Sequence, residues 1–241
     1  METESWVDGI LNHRFEMAPL ATSVEPKLLQ LTGIKAVVFD IYGTLVISGS
    51  GDVGSADTCG RDSFVHQTLE EFGILKQLAA IPDAETLQRK ILQLNKERAG
   101  SDCPKPEVDI VEVWRHVLAE AGWLGRPTEI EVVVKVATRY EALANPTWPM
   151  PGAIQLLQQL KRVSLPMGIV SNAQVFTPCL VNNLLGQIGL EEGGFNLDLC
   201  VFSNRYRQAK PGPRVFKVLR QSLSSHGILP DEAVYVGNDM L

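Results

Sequence analysis

The chain has few cysteines and no long apolar run. Its four cysteines form no C-x-x-C pair and no zinc-like Cys/His cluster. They are Cys59, Cys103, Cys179 and Cys200, and they indicate free thiols in a reducing cytoplasm. Apolar runs end well before the roughly 18 residues that a membrane span requires, and residues 1–6 lack an apolar signal core. We therefore expect a cytoplasmic protein without a membrane-spanning segment.

Basic residues are not in excess. Asp plus Glu number 28 against 22 Lys plus Arg, which gives a formal net charge of -6. This balance argues against a general nucleic-acid-binding surface, although it allows a local basic site for a small anion. With 241 residues, 45% of them hydrophobic, the chain suits one large folded domain or a core domain with an insertion.

Three short apolar runs predict buried strands of a parallel sheet, because each is hydrophobic on both faces and closed by small or polar residues. These runs cover residues 34–39, 167–170 and 233–236, and residues 197–203 are a weaker fourth candidate. A strand of this kind needs a layer of helices on each face of the sheet.

Helical patterns lie between the later runs. Residues 152–162 and 211–223 carry apolar side chains at helical spacing. Alternating strands and helices imply right-handed βαβ units, so we predict the α/β class with a doubly wound parallel sheet. The functional site of such a sheet lies at the carboxyl ends of its strands, where Asp40, Ser171 and Asp239 are expected.

A long insertion separates the first and second strands. Residues 48–55 are rich in Gly and Ser, and four helical stripes follow between about residues 62 and 144, interrupted by prolines. We predict a Rossmann-like core made of residues 1–47 and 147–241. Residues 48–146 are predicted to form an α-helical cap over the sheet edge.

The segment after the first strand, residues 40–45 with the sequence DIYGTL, offers a nucleophile. A carboxylate at Asp40 would face the ligand crevice and could form a covalent aspartyl intermediate that water later cleaves. Gly43 permits the tight turn that this placement requires, and Thr44 can donate its hydroxyl proton to the carboxylate or to a substrate anion. The alternative is an ordinary turn or cap aspartate.

Two other segments predict anion-binding groups. Ser171 and Asn172 end the second strand, so a hydroxyl and free backbone N–H groups could form an anion pocket. Lys210 precedes the sequence PGP and a helix, and the prolines would aim it at Asp40 and a negative substrate group. A plain helix cap and a solvated lysine are the respective alternatives.

The third strand is followed by residues 237–239 with the sequence GND. The amide of Asn238 and the carboxylate of Asp239 would lie beside Asp40 at the same edge of the sheet. Together they could bind a hard divalent cation through oxygen atoms. A simple turn is the alternative.

In their order along the chain, with a helical insertion after the first, these four segments resemble the motifs of the haloacid dehalogenase superfamily of aspartate-nucleophile hydrolases. The resemblance spans residue 34 to the end of the chain. It implies Asp40 as nucleophile, with Ser171 and Lys210 stabilising the substrate anion and the intermediate. The substrate would be contacted by Tyr42, Gly43, Thr44 and Asn172. A metal would be held by Asp40, the backbone carbonyl of Tyr42, Asn238 and Asp239.

Tyr42 departs from the superfamily's phosphatases, which carry a second aspartate there as general acid and base. An alkoxide leaving group benefits from a proton and a halide needs none, and the superfamily's 2-haloacid dehalogenases share Asp-x-Tyr-Gly-Thr-Leu. Their Arg-bearing aromatic segment is not found in residues 61–67, however, and residues 237–239 are more similar to the phosphatase metal motif. We expect Mg²⁺-assisted phosphoester hydrolysis of a small anionic substrate. The alternatives are a metal-free 2-haloacid dehalogenase and a catalytically silent anion-binding module.

The end of the chain is a second departure. Two residues follow Asp239, whereas members of the superfamily continue with another acidic residue and a helix. The chain is then either a fragment or a variant that lacks one carboxylate on the metal side. The sequence does not indicate an oligomeric state.

Overall fold

The computed structural model describes residues 15–21, 23, 25–49, 60–123, 130–190 and 194–238. In chain order, its strands are β1 (Ala36–Phe39), β2 (Val46–Ser48), β3 (Thr147–Pro149), β4 (Met167–Ser171), β5 (Cys200–Phe202) and β6 (Ala233–Val236). Its α-helices are α1 (Asp62–Glu71), α2 (Ala84–Arg98), α3 (Ile110–Glu120), α4 (Ile130–Ala144), α5 (Ala153–Arg162), α6 (Thr177–Leu185), α7 (Ser203–Tyr206) and α8 (Pro213–Ser225).

The main sheet has four parallel strands in the order β5-β4-β1-β6. Successive side chains of β1 point to opposite faces. Val37 and Phe39 join the apolar core under α5 and α6, and Ala36 and Val38 join the core under α8. The sheet is therefore covered on both faces, which confirms the doubly wound α/β fold predicted from the buried runs.

The weaker strand candidate, residues 197–203, is only partly a strand. A short 3-10 turn covers Leu197–Leu199 before β5 begins. Asn196 accepts a hydrogen bond from the backbone N–H of Asp198 with its side-chain oxygen at 3.0 Å, which favours a turn over an extended strand. The strand that remains has three residues, Cys200–Phe202.

Helices α1–α4, here called the helical bundle, occupy the insertion between β2 and β3. Their apolar faces enclose a core of their own, separate from the two cores of the sheet. Trp114 is among its largest fully buried side chains. Asp83 and Asp109 cap the starts of α2 and α3 by accepting backbone hydrogen bonds, which satisfies donors that a helix start leaves open.

A two-stranded antiparallel sheet, β2 with β3, joins the two ends of the helical bundle. Its register pairs Val46 with Pro149 and Ser48 with Thr147. The sequence did not predict these short strands. The backbone N–H of Gly43 donates to the carbonyl of Val46 at 2.7 Å, so the segment after β1 folds back tightly before β2.

The described helices and cysteines bear on two expectations, the lack of a membrane-spanning segment and the presence of free thiols. No helix in the described part of the chain is long and apolar enough to cross a membrane. Cys103, Cys179 and Cys200 are free cysteines, and Cys59 lies outside the described residues.

Candidate active site

A carboxylate and an ammonium meet at the carboxyl end of the sheet. Asp40 follows β1 directly, and its backbone N–H donates to the carbonyl of Val236 at 2.8 Å. Its Oδ1 accepts from the backbone N–H of Ile41 at 2.8 Å. Its Oδ2 lies 2.6 Å from Nζ of Lys210, and the two side chains are only 7% and 9% exposed, respectively. The ion pair expected between these residues is therefore present and nearly buried.

The environment of Lys210 favours its charged form. Burial lowers the pKa of the ammonium, but the charge of Asp40 and hydrogen bonds to Asp40 and Tyr235 outweigh this effect and raise the pKa above its usual value. Lys210 is therefore a cation at neutral pH. A cation beside Asp40 offsets the repulsion that an incoming anion would meet there.

The loop after Asp40 brings a glycine and an unpartnered hydroxyl to the same place. Gly43 has a positive φ of 77°, and a Cβ atom added there would lie 2.6 Å from Nδ2 of Asn238. Only glycine allows this close approach of loop and amide. The hydroxyl of Thr44 is buried and has no hydrogen-bond partner among the described residues. It is free to donate to a ligand oxygen.

Tyr42 is part of the sheet core. Its ring is buried in the apolar cluster under α5 and α6, and its hydroxyl lies 3.2 Å from Oγ1 of Thr177 at the start of α6. Burial, followed by the negative charge of Glu141, raises the pKa of Tyr42 well above its usual value. The phenol is therefore a weak acid whose hydroxyl already has a partner in the protein.

Ser171 and Asn172 lie at the end of β4, with Ser171 as its last residue. The buried Ser171 hydroxyl donates to the carbonyl of Asn172 at 3.1 Å. Oδ1 of Asn172 accepts from the backbone N–H of Lys210 at 2.7 Å. Asn172 thus holds the backbone of the lysine, a contact that its sequence context did not suggest.

The residues expected to bind metal are only partly described. Asp239 lies outside the described residues, and within the described ranges no three His, Cys, Asp or Glu side chains could hold an ion together. The described candidates are the Asp40 carboxylate, the Tyr42 carbonyl and the Asn238 amide, whose side chain lies against Gly43. All three can supply oxygen, the donor atom that Mg²⁺ prefers, so they fit this ion chemically.

The segment between α2 and α3 contacts the loops that carry Asn172 and Lys210. Oε2 of Glu107 accepts from the Ser203 hydroxyl at 2.8 Å, and Oε1 accepts from Nε2 of Gln174 at 3.1 Å. The Ser203 hydroxyl in turn accepts from the backbone N–H of Ala173 at 2.9 Å. The amino-acid sequence did not predict this network, and no motif signals it, because 96 residues separate Glu107 from Ser203.

A second contact between the bundle and the sheet is ionic. Nη2 of Arg207 lies 3.2 Å from Oδ2 of Asp109, and Nη1 lies 3.5 Å from Oε2 of Glu112. Arg98, on α2, donates to the same Glu112 oxygen at 2.7 Å. The hydrogen bond from Arg98 is the main cause that lowers the pKa of Glu112 below its usual value.

Comparison with known families agrees with this arrangement. The model of the haloacid dehalogenase-like hydrolases matches residues 34–240. The chain belongs to this family. It is therefore a hydrolase, and the resemblance drawn from its four motifs is confirmed. None of the curated proteins searched matches the chain.

One solved dehalogenase shares the fold of this hydrolase, and two further solved structures resemble it less closely. A 2-haloacid dehalogenase from Pseudomonas syringae pv. tomato has a TM-score of 0.52 at 20% identity, covering 86% of this chain and 78% of its own. An L-2-haloacid dehalogenase has a TM-score of 0.45 at 19% identity, covering 86% and 79%. A phosphatase from Thermococcus onnurineus has a TM-score of 0.43 at 19% identity, covering 86% and 78%. At such identities the likeness concerns the fold alone.

Proposed function

We propose that this hydrolase cleaves a phosphoester on a small substrate through a covalent intermediate on Asp40. The observation that carries the proposal is the buried pair of Asp40 and Lys210. This nucleophile and cation meet at the ends of parallel strands, which is where ligands bind in this class of sheet, and the loop that follows Asp40 carries the unpartnered hydroxyl of Thr44. Such a set suits an anionic substrate.

The first step is attack by a carboxylate oxygen of Asp40 on phosphorus. The bond between phosphorus and the leaving-group oxygen breaks, and its electron pair leaves with that oxygen, which takes a proton from water. Lys210 stabilises the negative charge on the phosphoryl oxygens. Thr44 donates a hydrogen bond to one of them, which satisfies its buried hydroxyl.

The second step releases Asp40. A water molecule attacks phosphorus, and the bond between phosphorus and the Asp40 oxygen breaks. The carboxylate reforms, phosphate leaves with the oxygen of the water, and the excess proton passes to solvent. The ammonium of Lys210 again lies beside the regenerated carboxylate.

Magnesium is the cofactor of this proposal. Asp40, the carbonyl of Tyr42, Asn238 and Asp239 would hold it, because all four can offer oxygen to a hard cation. When bound, the ion supplies positive charge that polarises the phosphoryl group.

We also infer that residues 48–146 are a cap over this site, and that residues 1–47 and 147–241 form the core. The contacts of Glu107 with Ser203 and Gln174 support this division, since they tie the helical bundle to the loops at the carboxyl edge of the sheet. A cover at that edge excludes water from the reacting groups.

Tyr42 limits the substrates that this mechanism can use. Its hydroxyl is a weakened acid that already contacts Thr177, so it is poorly suited to protonate a leaving group. Esters whose leaving group is stable as an anion, such as aryl phosphates, should therefore react much faster than alkyl phosphates.

The same observation favours a second candidate, 2-haloacid dehalogenation. A halide leaves without a proton. Asp40 would attack the carbon that bears the halogen, the carbon–halogen bond would break, and water would then cleave the resulting ester at its carbonyl carbon. This reaction needs no metal.

Substrate assays separate these candidates. Purified chain is incubated with p-nitrophenyl phosphate, with an alkyl phosphate and with 2-chloropropionate, each with Mg²⁺ or with EDTA. We expect Mg²⁺-dependent phosphate release, fastest from the aryl ester, and no chloride release. Chloride release in EDTA would replace the proposal with the dehalogenase. Vanadate or phosphate binding without turnover of any substrate would instead indicate an anion-binding module.

A further inference from the structure

Lys210 has a second partner besides Asp40. Its Nζ lies 2.9 Å from the hydroxyl of Tyr235 and 5.7 Å from the centre of the same ring. Tyr235 lies in β6, the strand that leads to Asn238, and 43% of it is exposed. It was not among the residues that the sequence singled out.

The direction of this hydrogen bond is determined by chemistry. An ammonium can only donate, so the Tyr235 oxygen accepts from Lys210. The hydroxyl proton is directed to the carbonyl of Val170, which lies 3.5 Å away in β4. Tyr235 therefore reaches from β6 to the residue before Ser171 and presents a lone pair to the ammonium.

The ring of Tyr235 is held from two sides. Phe216 of α8 packs edge-to-face on it, with ring centres 6.2 Å apart. A Cβ atom added at Gly237 would lie 2.8 Å from Cε1 of the ring, so the backbone there passes close beside it. A hydroxyl on a ring held in this way has a defined position.

Two fixed partners orient the ammonium. Lys210 donates one hydrogen to Asp40 and one to Tyr235, and its Nζ has no other partner in the described part of the chain. Because the three N–H bonds are tetrahedral, the first two determine the direction of the third. That third hydrogen remains for an oxygen of the substrate.

We propose that Tyr235 is a positioning residue that aims Lys210 at Asp40 and at the substrate anion. Its kinetic consequence rests on the function proposed above, whereas the orientation of the ammonium is a property of the folded chain. The two can therefore be tested separately.

The experiment uses Tyr235→Phe, which keeps the ring and removes the hydroxyl. With p-nitrophenyl phosphate and Mg²⁺, we expect kcat to fall about fivefold to tenfold while KM changes little, because a misaligned cation weakens transition-state stabilisation. In protein labelled with ¹⁵N-lysine, the ammonium hydrogens of Lys210 should exchange faster with water at a fixed pH, because one of their two acceptors is lost. The Lys210 signal is assigned by its loss in Lys210→Arg.

The matched control is Tyr206→Phe. Tyr206, like Phe216, packs against the apolar cluster under α8, and its hydroxyl makes no hydrogen bond in the described part of the chain. This variant should leave kcat and the hydrogen exchange of the Lys210 ammonium unchanged. Thermal unfolding of both variants checks that each is folded.

The outcomes are decisive in either direction. Faster exchange of the Lys210 ammonium in Tyr235→Phe but not in Tyr206→Phe supports the inference, and unchanged exchange overturns it. If the natural chain hydrolyses no phosphoester, the exchange measurement alone decides about Tyr235, and the missing turnover counts against the proposed function.

Discussion

The carboxyl edge of the sheet and the interior of the helical bundle both bury polar side chains, but they treat them differently. At the edge, Asp40 and Lys210 are paired at 2.6 Å. In the bundle, the hydroxyls of Thr68 and Thr138 and Nε1 of Trp114 are buried with no partner among the residues described. The bundle also has ion pairs, Lys90 with Glu120 and Arg139 with Glu71, but their carboxylates are 57% and 38% exposed. The carboxylate of Asp40 is 7% exposed, so the edge buries both members of its pair.

A buried polar atom therefore does not identify a functional site by itself. An unpartnered buried hydroxyl costs about 1–3 kcal/mol, and the bundle accepts that cost at Thr68 and Thr138. Thr44 differs from Thr68 and Thr138 because it lies in the loop that begins with Asp40. A free donor in the loop that also carries a buried ion-paired carboxylate is what indicates a ligand.

The substitution expected to lower kcat most replaces Asp40 at the carboxyl edge of the sheet. Asp40→Asn should lower kcat by on the order of 10³-fold or more, because an amide cannot form the covalent intermediate. Phosphate binding, measured by calorimetry, should change far less. The matched control is Asp231→Asn, which lies at an exposed position and should keep full activity. Turnover that survives in Asp40→Asn would rule out Asp40 as the nucleophile.

Substitution of two threonines tests whether the buried hydroxyl of Thr44 has a role that the buried hydroxyls of the bundle lack. Thr44→Val should lower kcat/KM about tenfold to a hundredfold, because a hydrogen bond to the substrate anion is lost. Thr138→Val, in the bundle, should leave kcat/KM unchanged and should keep or raise the free energy of unfolding, since it removes a buried hydroxyl without a partner. Equal losses of kcat/KM in both variants would show that the Thr44 hydroxyl has no special role in substrate binding.

The smallest effect concerns the contact between the two regions. Glu112 accepts from Arg98 of α2 and lies near Arg207 of the sheet domain. Glu112→Gln should lower the free energy of unfolding at pH 7 by about 1 kcal/mol. Glu131→Gln, at a more exposed ion pair within α4, should change it by less than about 0.5 kcal/mol.

The pH dependence of this effect has a definite sign. The hydrogen bond from Arg98 holds the pKa of Glu112 below its usual value. The stabilisation is therefore complete above that value and is lost as the pH falls through the lower pKa of the folded state. Urea unfolding of Glu112→Gln and the natural chain should converge in acid, and a constant difference would show that charge is not the cause.

The sequence predicted the architecture and the chemistry of individual residues. Hydrophobic runs on both faces of β1 and β4 required a covered parallel sheet, and the carboxyl ends of parallel strands necessarily share an edge. The meeting of Asp40 and Lys210 follows from this arrangement. The expected strand over residues 197–203 was too long because Asn196 favours a local turn.

Partners that depend on packing were not predictable in the same way. Asn172 holds the backbone of Lys210, Tyr235 holds its ammonium, and Glu107 joins the loops after β4 and β5. Each contact joins segments far apart in the chain. No local spacing encodes them.

The amino-acid sequence alone determined the alternation of strands and helices, the place of the helical insertion and the order of the four motifs, because local patterns of burial specify these features. Tertiary structure decided which polar atoms are paired and which are left open. Side chains such as Tyr42 and Tyr235 carry the same hydroxyl, yet one contacts Thr177 in the core and the other contacts the ammonium of Lys210. Their neighbours are set by how β1, β6, α6 and α8 pack together.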